Sequence, residues 1–532
     1  MKVGIIDLLV DEAVHGPLQR LYSLYFRKQF MSVMPQVVSV WCRQHGHSVT
    51  YATYYGQAEP DRLVPDDVDV LFVSSYTQAS ALAYALAALF RRRGALTVLG
   101  GPHARSFPTD ALRAFDIVVR NCDRNLVDDI VSGRIDPPAI VDSGRSLTDI
   151  PSVAERAAEI RVASFHGGRP LLTSLVPMLS SVGCPYSCNF CIDWNTPYAA
   201  FPIDRLRADL QYIAQEWPGM LVGYHDPNFA VRFDETMAAI ETVPPNWRPA
   251  YIMESSLSIL KPERLARLGS TNCVYVAPGI ESWTDYSNKS AAGARQRYAK
   301  LDGVIGHLRQ ILDHVPGVQA NFLFGGDEDR GSDPVDLTLE FIRSLPEVWP
   351  TINIPTPFGG TPLYDEWYRE GRILPRLPFA FYYNPWLAIT PLNYTPIELY
   401  SHLIALHEAL ASTRMALRRV TTRVRPAIRF VHFLRTSDAR RELAAFRLIH
   451  DRLRNDLAFR AFHDGRNVPL PRFYREIYRR RLGRYADLIR DSLMTPVLEP
   501  PAAPHGTDDK ALRPPAPDTR GRTRSTGKAH AP

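Results

Sequence analysis

Between Val3 and Pro355 the chain changes hydrophobic period again and again. Short β-branched runs alternate with helical stretches, and that alternation restricts the fold to parallel sheets covered by helices. The first series of expected strands is Val3 to Val10, Val49 to Tyr54, Val68 to Ser74, Ala95 to Leu99 and Asp116 to Val119. In such a sheet a ligand sits outside the carboxyl ends of the strands. Two of those ends are distinctive: Ser74-Ser75-Tyr76-Thr77 and Gly100-Gly101-Pro102-His103. After a polar, proline-containing connection from Asp142 to Val153, a second series follows: Leu172 to Leu179, Met220 to Tyr224, Ala250 to Met253, Cys273 to Ala277, Gln319 to Phe324 and Thr351 to Pro355. Repeated βα units at this spacing predict a partial or complete barrel of parallel strands, with chemistry at the C-terminal strand ends. Beyond about Pro391 the strand signal stops, and Glu398 to Leu417, Ala439 to Leu457 and Phe473 to Leu493 read as helices. The expected organisation is a sheet domain over 1–143, a linker over 144–170, a barrel over 171–390, a helical region over 391–495 and a disordered tail over 496–532.

Composition excludes several classes. The chain has 532 residues, 45% hydrophobic and 22% charged, which suits a globular protein with a sizeable core. Its 62 Lys+Arg against 56 Asp+Glu leave +6, too mild to announce a nucleic-acid binder, and no specific nucleic acid is expected. The most apolar stretch, Ala81 to Phe90, is too short to span a bilayer and is followed at once by three arginines, so it reads as a buried helix. The opening MKVGIIDLLV lacks the features of a secretory leader, and cytoplasmic residence is the expectation.

Three of the six cysteines crowd into Cys184-Pro185-Tyr186-Ser187-Cys188-Asn189-Phe190-Cys191, just after the first strand of the second series. Soft thiolates this close select zinc or an iron–sulfur cluster. A structural zinc site wants four ligands, which would need a distant histidine such as His166 or His225. A four-iron cluster held by three cysteines leaves one iron open. Cys42, Cys122 and Cys273 lie in helix or strand contexts and read as inert.

This C-x3-C-x-aromatic-C loop after a barrel's first strand resembles the radical S-adenosylmethionine (SAM) superfamily. The resemblance implies that Cys184, Cys188 and Cys191 ligate a [4Fe–4S] cluster whose open iron binds SAM, and that SAM is cleaved reductively to a 5′-deoxyadenosyl radical. It places Phe190 near the adenine. Gly279-Ile280-Glu281-Ser282 is similar to the family's G-[IV]-E-S segment, Phe324-Gly325-Gly326 to its later glycine-ended strand, and the stretch from Pro357 to Tyr364 to its proline-rich turn. Glu281, Ser282 and Gly325 are therefore expected cofactor contacts. Tyr224-His225-Asp226-Pro227-Asn228-Phe229 resembles the F-x-D-D-x-F stretch of the cobalamin-binding branch, with Pro227 where a second acid is usual. Asp226 remains an active-site candidate.

A flavodoxin-like domain before a radical SAM barrel is also the arrangement of that branch. Ser75-Tyr76-Thr77 resembles its S-x-[LT] element and Gly100-Gly101 its later G-G element, which flank the cobalamin nucleotide tail. Ser75, Thr77, Gly100, Gly101 and His103 are thus expected cobalamin contacts, with an exposed loop as the alternative setting for His103. No D-x-H-x-x-G string is present, so either cobalt has no histidine lower ligand or the cofactor has been lost.

The implied activity is that of a cobalamin-dependent radical SAM enzyme methylating carbon or phosphorus of a small molecule, supplied with electrons by a flavodoxin or ferredoxin. Oxidative ring formation without methyl transfer is the nearest alternative. A non-catalytic iron–sulfur or zinc module is another. In the helical region Arg414, Arg418, Arg419, Arg423, Arg425 and Arg429 read as solvated helix faces rather than a site for an acidic partner, and Phe430, Phe433, Phe473 and Tyr474 read as core.

Overall fold

A computed structural model describes residues 1–501 except 14, 146, 148 and 284–296, and the rest of the expected tail, 502–532, lies outside the described residues. The N-terminal strands form a six-stranded sheet ordered Ser48–Tyr54, Lys2–Leu8, Val70–Ser75, Leu96–Gly100, Ile117–Val119 and Ala139–Val141. Every pairing is parallel. Its inner strands are buried on both faces: in Lys2–Leu8 only the first residue is exposed. That is why the sequence shows continuous apolar runs there instead of alternation. The apolar helix Ser80–Arg92 covers one face with side chains from Ser80 to Phe90.

The second sheet is also wholly parallel. Leu175–Met178, Leu221–Tyr224, Tyr251–Glu254 and Cys273–Ala277 pair in chain order, followed by Gly317–Leu323, which holds both Gly279–Glu281 and Trp349–Asn353. Among the described residues no pairing joins the first strand to the last, so the barrel is open. Helices Ile203–Glu216, Phe233–Glu241, Pro262–Ser270, Arg297–Leu312 and Asp333–Ser344 fill the crossovers.

The segment 144–170 is more than a connection. Helix Ala157–Ser164 places the Glu159 carboxylate against Ser39 Oγ at 2.8 Å and Arg43 Nε at 3.0 Å. Buried Arg156 donates to Gln36 Oε1 at 2.8 Å and to the Pro177 carbonyl at 3.3 Å, joining the two sheets. The first residues of the expected tail are held in place. Val497 N–H donates to Asp110 Oδ1 at 2.8 Å, and Glu499 accepts from Thr109 N–H at 2.7 Å.

The C-terminal helices are Pro396–Ala411, Thr413–Val420, Pro426–Asn455, Leu457–His463 and Arg472–Leu482. Thr395 and Glu398 form a capping box at the first of these. Ser412 caps the second, which splits the single helix expected over Glu398 to Leu417. Helix Pro426–Asn455 buries a stripe of His432, Thr436, Ala439, Leu443, Phe446, Ile449 and Leu453, spaced three and four residues apart. Tyr474 is fully buried and Phe473 packs on the core, as expected. Phe430 and Phe433 are not core residues: they fall outside the buried stripe of the same helix and are 59% and 57% exposed. Among the described residues no helix is long and apolar enough to cross a membrane.

Candidate functional site

The first barrel strand ends at Met178, and the chain then enters a hairpin whose base is closed by Ser181–Val182 against Ala199–Ala200. All three clustered cysteines sit in the loop of that hairpin. Gly183 opens it at φ +68°, where a Cβ would lie 2.3 Å from the Pro197 carbonyl oxygen, so glycine is required on both counts. Turns fold the cysteines inward: Cys184 N–H donates to the Thr196 carbonyl at 3.3 Å, Cys191 N–H to the Cys188 carbonyl at 3.1 Å and Trp194 N–H to the Cys191 carbonyl at 3.0 Å. Cys184 and Cys188 are buried, Cys191 is half-buried, and none forms a disulfide. Phe190 is half-buried on the main core.

The donor set fits an iron–sulfur cluster. Among the described residues no three His, Cys, Asp or Glu side chains are placed to hold a single metal ion. Three soft thiolates in one short loop suit a cluster that distributes them over separate irons. Asn189 Oδ1, between Cys188 and Phe190, is buried without a hydrogen-bond partner. Sequence reasoning passed over it.

Asp226 follows the second barrel strand. It is 2% exposed and receives Ser180 N–H at 3.0 Å, Ser180 Oγ at 2.6 Å and Ser181 Oγ at 2.6 Å. Burial raises its carboxyl above the usual range, and the serine hydrogen bonds oppose that rise. It therefore braces the entry to the cysteine hairpin. His225 is driven down to about 4, first by burial and then by Arg156. Asn228, near the position of the missing second acid, accepts from Ser256 N–H at 2.9 Å.

Glu281 is 8% exposed and has a left-handed backbone at φ +64°, uncommon for a residue with a side chain. Its carboxylate lies over Gly279, where a Cβ would come within 2.2 Å of Oε1. Ser282 and Gly325 are brought together by a residue that the sequence did not single out. Asp329 accepts Ser282 Oγ at 3.2 Å and Gly325 N–H at 2.9 Å, and burial raises its carboxyl to about 6.

At the N-terminal sheet, Ser75, Thr77, Gly100 and Gly101 all lie at carboxyl ends of neighbouring strands. Gly101 has φ +90°, and its missing Cβ would meet Ser75 N at 3.0 Å. No atom lies within 4 Å of the position a Gly100 Cβ would take. Thr77 Oγ1 is buried without a hydrogen-bond partner, while Ser75 Oγ donates to the Tyr76 carbonyl at 2.8 Å. Small residues, open space and an orphaned hydroxyl fit the passage of a bulky polar ligand tail. His103 is neither a loop residue nor exposed. It lies in helix Pro102–Ser106, fully buried, its Nε2 2.7 Å from Tyr84 Oη, while Tyr84 also donates to Asp110 at 2.7 Å. Burial drives His103 to about 3, so its imidazole is neutral.

The two sites are physically joined. Arg105, one helix turn after the glycine pair, donates to Asp193 Oδ1 at 2.7 Å and also to Thr196 Oγ1, both in the cysteine hairpin. From the proline-rich turn, Gly360 receives Trp194 Nε1 at 2.5 Å and Leu363 N–H donates to the Asn189 carbonyl at 3.0 Å. Gly359 lies so close to the Ser106 carbonyl that a Cβ would come within 1.9 Å of it.

Comparison with solved structures agrees with this architecture. The cobalamin-dependent SAM radical enzyme OxsB, with aqua-cobalamin bound, superposes with a TM-score of 0.54 at 9% identity, covering 93% of this chain and 80% of that one. The chain shares the fold of that solved enzyme. No family model matches the chain. Among curated proteins it is similar to two from Chlorobaculum tepidum: bacteriochlorophyllide d C-8(2)-methyltransferase, 24% identical over 62% of this chain and 75% of that protein, and bacteriochlorophyllide d C-12(1)-methyltransferase, 23% identical over 57% and 67%. In this fold the cysteine hairpin and the strand ends carrying Asp226, Glu281 and Gly325 share the C-terminal rim of the barrel, where such barrels do their chemistry.

Proposed function

We propose that this chain is a cobalamin-dependent radical SAM methyltransferase acting on carbon. The observation that carries the reading is the linkage through Arg105 of a three-cysteine hairpin on a parallel barrel to a glycine-lined strand-end site in the preceding sheet. Both curated relatives are named for methyl transfer to a carbon position, which favours methylation over ring formation and carbon over phosphorus.

Cys184, Cys188 and Cys191 would hold the [4Fe–4S] cluster, and Ser75, Thr77, Gly100 and Gly101 would line the cobalamin tail. When bound, these groups with SAM supply a strong reductant, a hydrogen-abstracting radical and a transferable methyl group. The chain's own part is placement. Asp226 fixes the serines that lead into the hairpin, Glu281 offers a buried acceptor to SAM, and Asp329 holds Ser282 and Gly325 in register. Buried His103 keeps its Tyr84 partner and would pack beneath the glycine pair rather than exchange protons at pH 7. Electrons would come from a low-potential flavodoxin- or ferredoxin-type donor.

The test is anaerobic reconstitution followed by reduction with methyl-deuterated SAM. The wild type should bind about four irons, retain cobalamin, release 5′-deoxyadenosine and pass label to its product. Cys188→Ala should abolish iron loading and 5′-deoxyadenosine release together; release that survives that substitution sinks the proposal.

A further inference from the structure

We infer that the surface formed by helix Thr413–Val420 and the first turns of helix Pro426–Asn455 docks on an anionic lipid bilayer. Four large apolar side chains stand out from it: Leu417 at 63% exposed, Val420 at 48%, Phe430 at 59% and Phe433 at 57%. Phe430 and Phe433 are three residues apart and so lie on neighbouring positions of the helix, outside the buried stripe through His432, Thr436 and Ala439. Arg429 Nη1 donates to the Val420 carbonyl at 3.0 Å, which ties the end of the first helix to the start of the second.

Along this stretch of chain the charge is of one sign. From Thr413 to Ser437 there are seven arginines and no acidic residue. Two of the seven are structural: Arg419 is buried over the Trp349 ring at 4.5 Å, and Arg435 binds Tyr275 Oη at 2.8 Å. The other five are Arg414, Arg418, Arg423, Arg425 and Arg429. Among the described residues none of them pairs with a carboxylate, whereas arginines such as Arg105, Arg205, Arg372, Arg447 and Arg481 do. Exposed aromatic and aliphatic tips ringed by unneutralised arginines match the interface between lipid headgroups and acyl chains: the tips enter the hydrocarbon boundary and the guanidiniums meet lipid phosphates. RNA would use the arginines but gains nothing from Leu417 and Val420, which have no π-face for stacking.

The patch lies away from the chemistry. Ile428 packs against Gly317, the first residue of its barrel strand, and therefore at the end of the barrel opposite the cysteine hairpin. Docking there leaves the catalytic rim free, and the inference does not depend on the reaction proposed above.

The experiment is co-sedimentation of the full chain with phosphatidylcholine vesicles that contain or lack about one third phosphatidylglycerol, across a salt series. The wild type is expected to bind only the anionic vesicles, progressively less as salt rises. Arg423→Gln with Arg425→Gln should weaken partition roughly tenfold or more, at about 1 kcal/mol per basic residue. Phe430→Ser with Phe433→Ser should weaken it at low salt too. Both pairs should keep wild-type iron loading and thermal transition; if the phenylalanine pair fails to fold, the arginine pair still decides. Equal binding to neutral and anionic vesicles, unchanged binding by a folded variant pair, or binding to single-stranded RNA tighter than to vesicles overturns the inference.

Discussion

Asp329 accepts the Gly325 amide at 2.9 Å while its other carboxylate oxygen takes the Ser282 hydroxyl, so a single buried acid ties together two strand ends of the catalytic rim. Burial raises its carboxyl to about 6 from an unfolded value near 3.8. Here the native state holds the proton more tightly than the unfolded chain. Native stability from this group is therefore fullest below the unfolded value and is lost as pH rises through about 6, by up to about 3 kcal/mol. Asp329→Asn removes that titration at the cost of one acceptor. Melting temperatures of wild type and variant should thus converge, or cross in the variant's favour, as pH goes from about 4 to 7. A constant difference over that window would place the proton elsewhere.

Arg105 and Asp193 are 88 residues apart in sequence and 2.7 Å apart in space. Both side chains are about a quarter exposed, so screening trims the ion pair, and the second bond to Thr196 adds geometric restraint. Arg105→Met keeps the aliphatic stem and should cost about 1–2 kcal/mol. Its more telling effect is local. In metal-free protein the hairpin should open more often, and mass spectrometry should show faster alkylation of Cys184, Cys188 and Cys191 while Cys42 and Cys273 stay protected. Burial pushes those two thiols up to about 12 and leaves them inert as well as inaccessible.

What could be read in the sequence was local. The cysteine spacing, the glycine pair and the βα alternation each lie within one short window, and each expected strand was found to within a few residues. Ala139–Val141 escaped because three residues with an exposed centre carry no period. Asp329 and Arg105 were invisible for another reason: their roles exist only through partners 47 and 88 residues away. Phe430 and Phe433 misled because a helix face shows its direction only when its packing partner is known. The buried stripe through His432 and Thr436 contains polar residues, and that concealed which face was inside.

Gly279 illustrates a dependence of a site acid on a neighbour without a side chain. A Cβ there would lie 2.2 Å from Glu281 Oε1 and 3.0 Å from its Cδ, and the flexible carboxylate would swing away before the backbone moved. Gly279→Ala should therefore leave stability within about 1 kcal/mol of wild type while SAM affinity falls, measured by calorimetry on the reconstituted protein. Iron content should not change. Loss of iron and SAM binding in equal measure would mean that the substitution disrupts the barrel rim as a whole.

Thr77 offers the sharpest separation of binding from folding. Thr77 is 3% exposed, and its buried hydroxyl has no hydrogen-bond partner within the chain, so it contributes a desolvation cost and no compensating bond. Thr77→Val keeps the shape and removes the unsatisfied group. The cofactor-free variant should be as stable as wild type or more so, by up to about 1 kcal/mol, against the usual direction for a core substitution. If that hydroxyl waits for the cobalamin tail, the same variant should retain cobalamin more weakly, by about tenfold for one lost hydrogen bond, as read from the corrinoid absorbance after gel filtration. A variant that is less stable and binds cobalamin as well as wild type would show that Thr77 packs within the sheet and does not face the ligand.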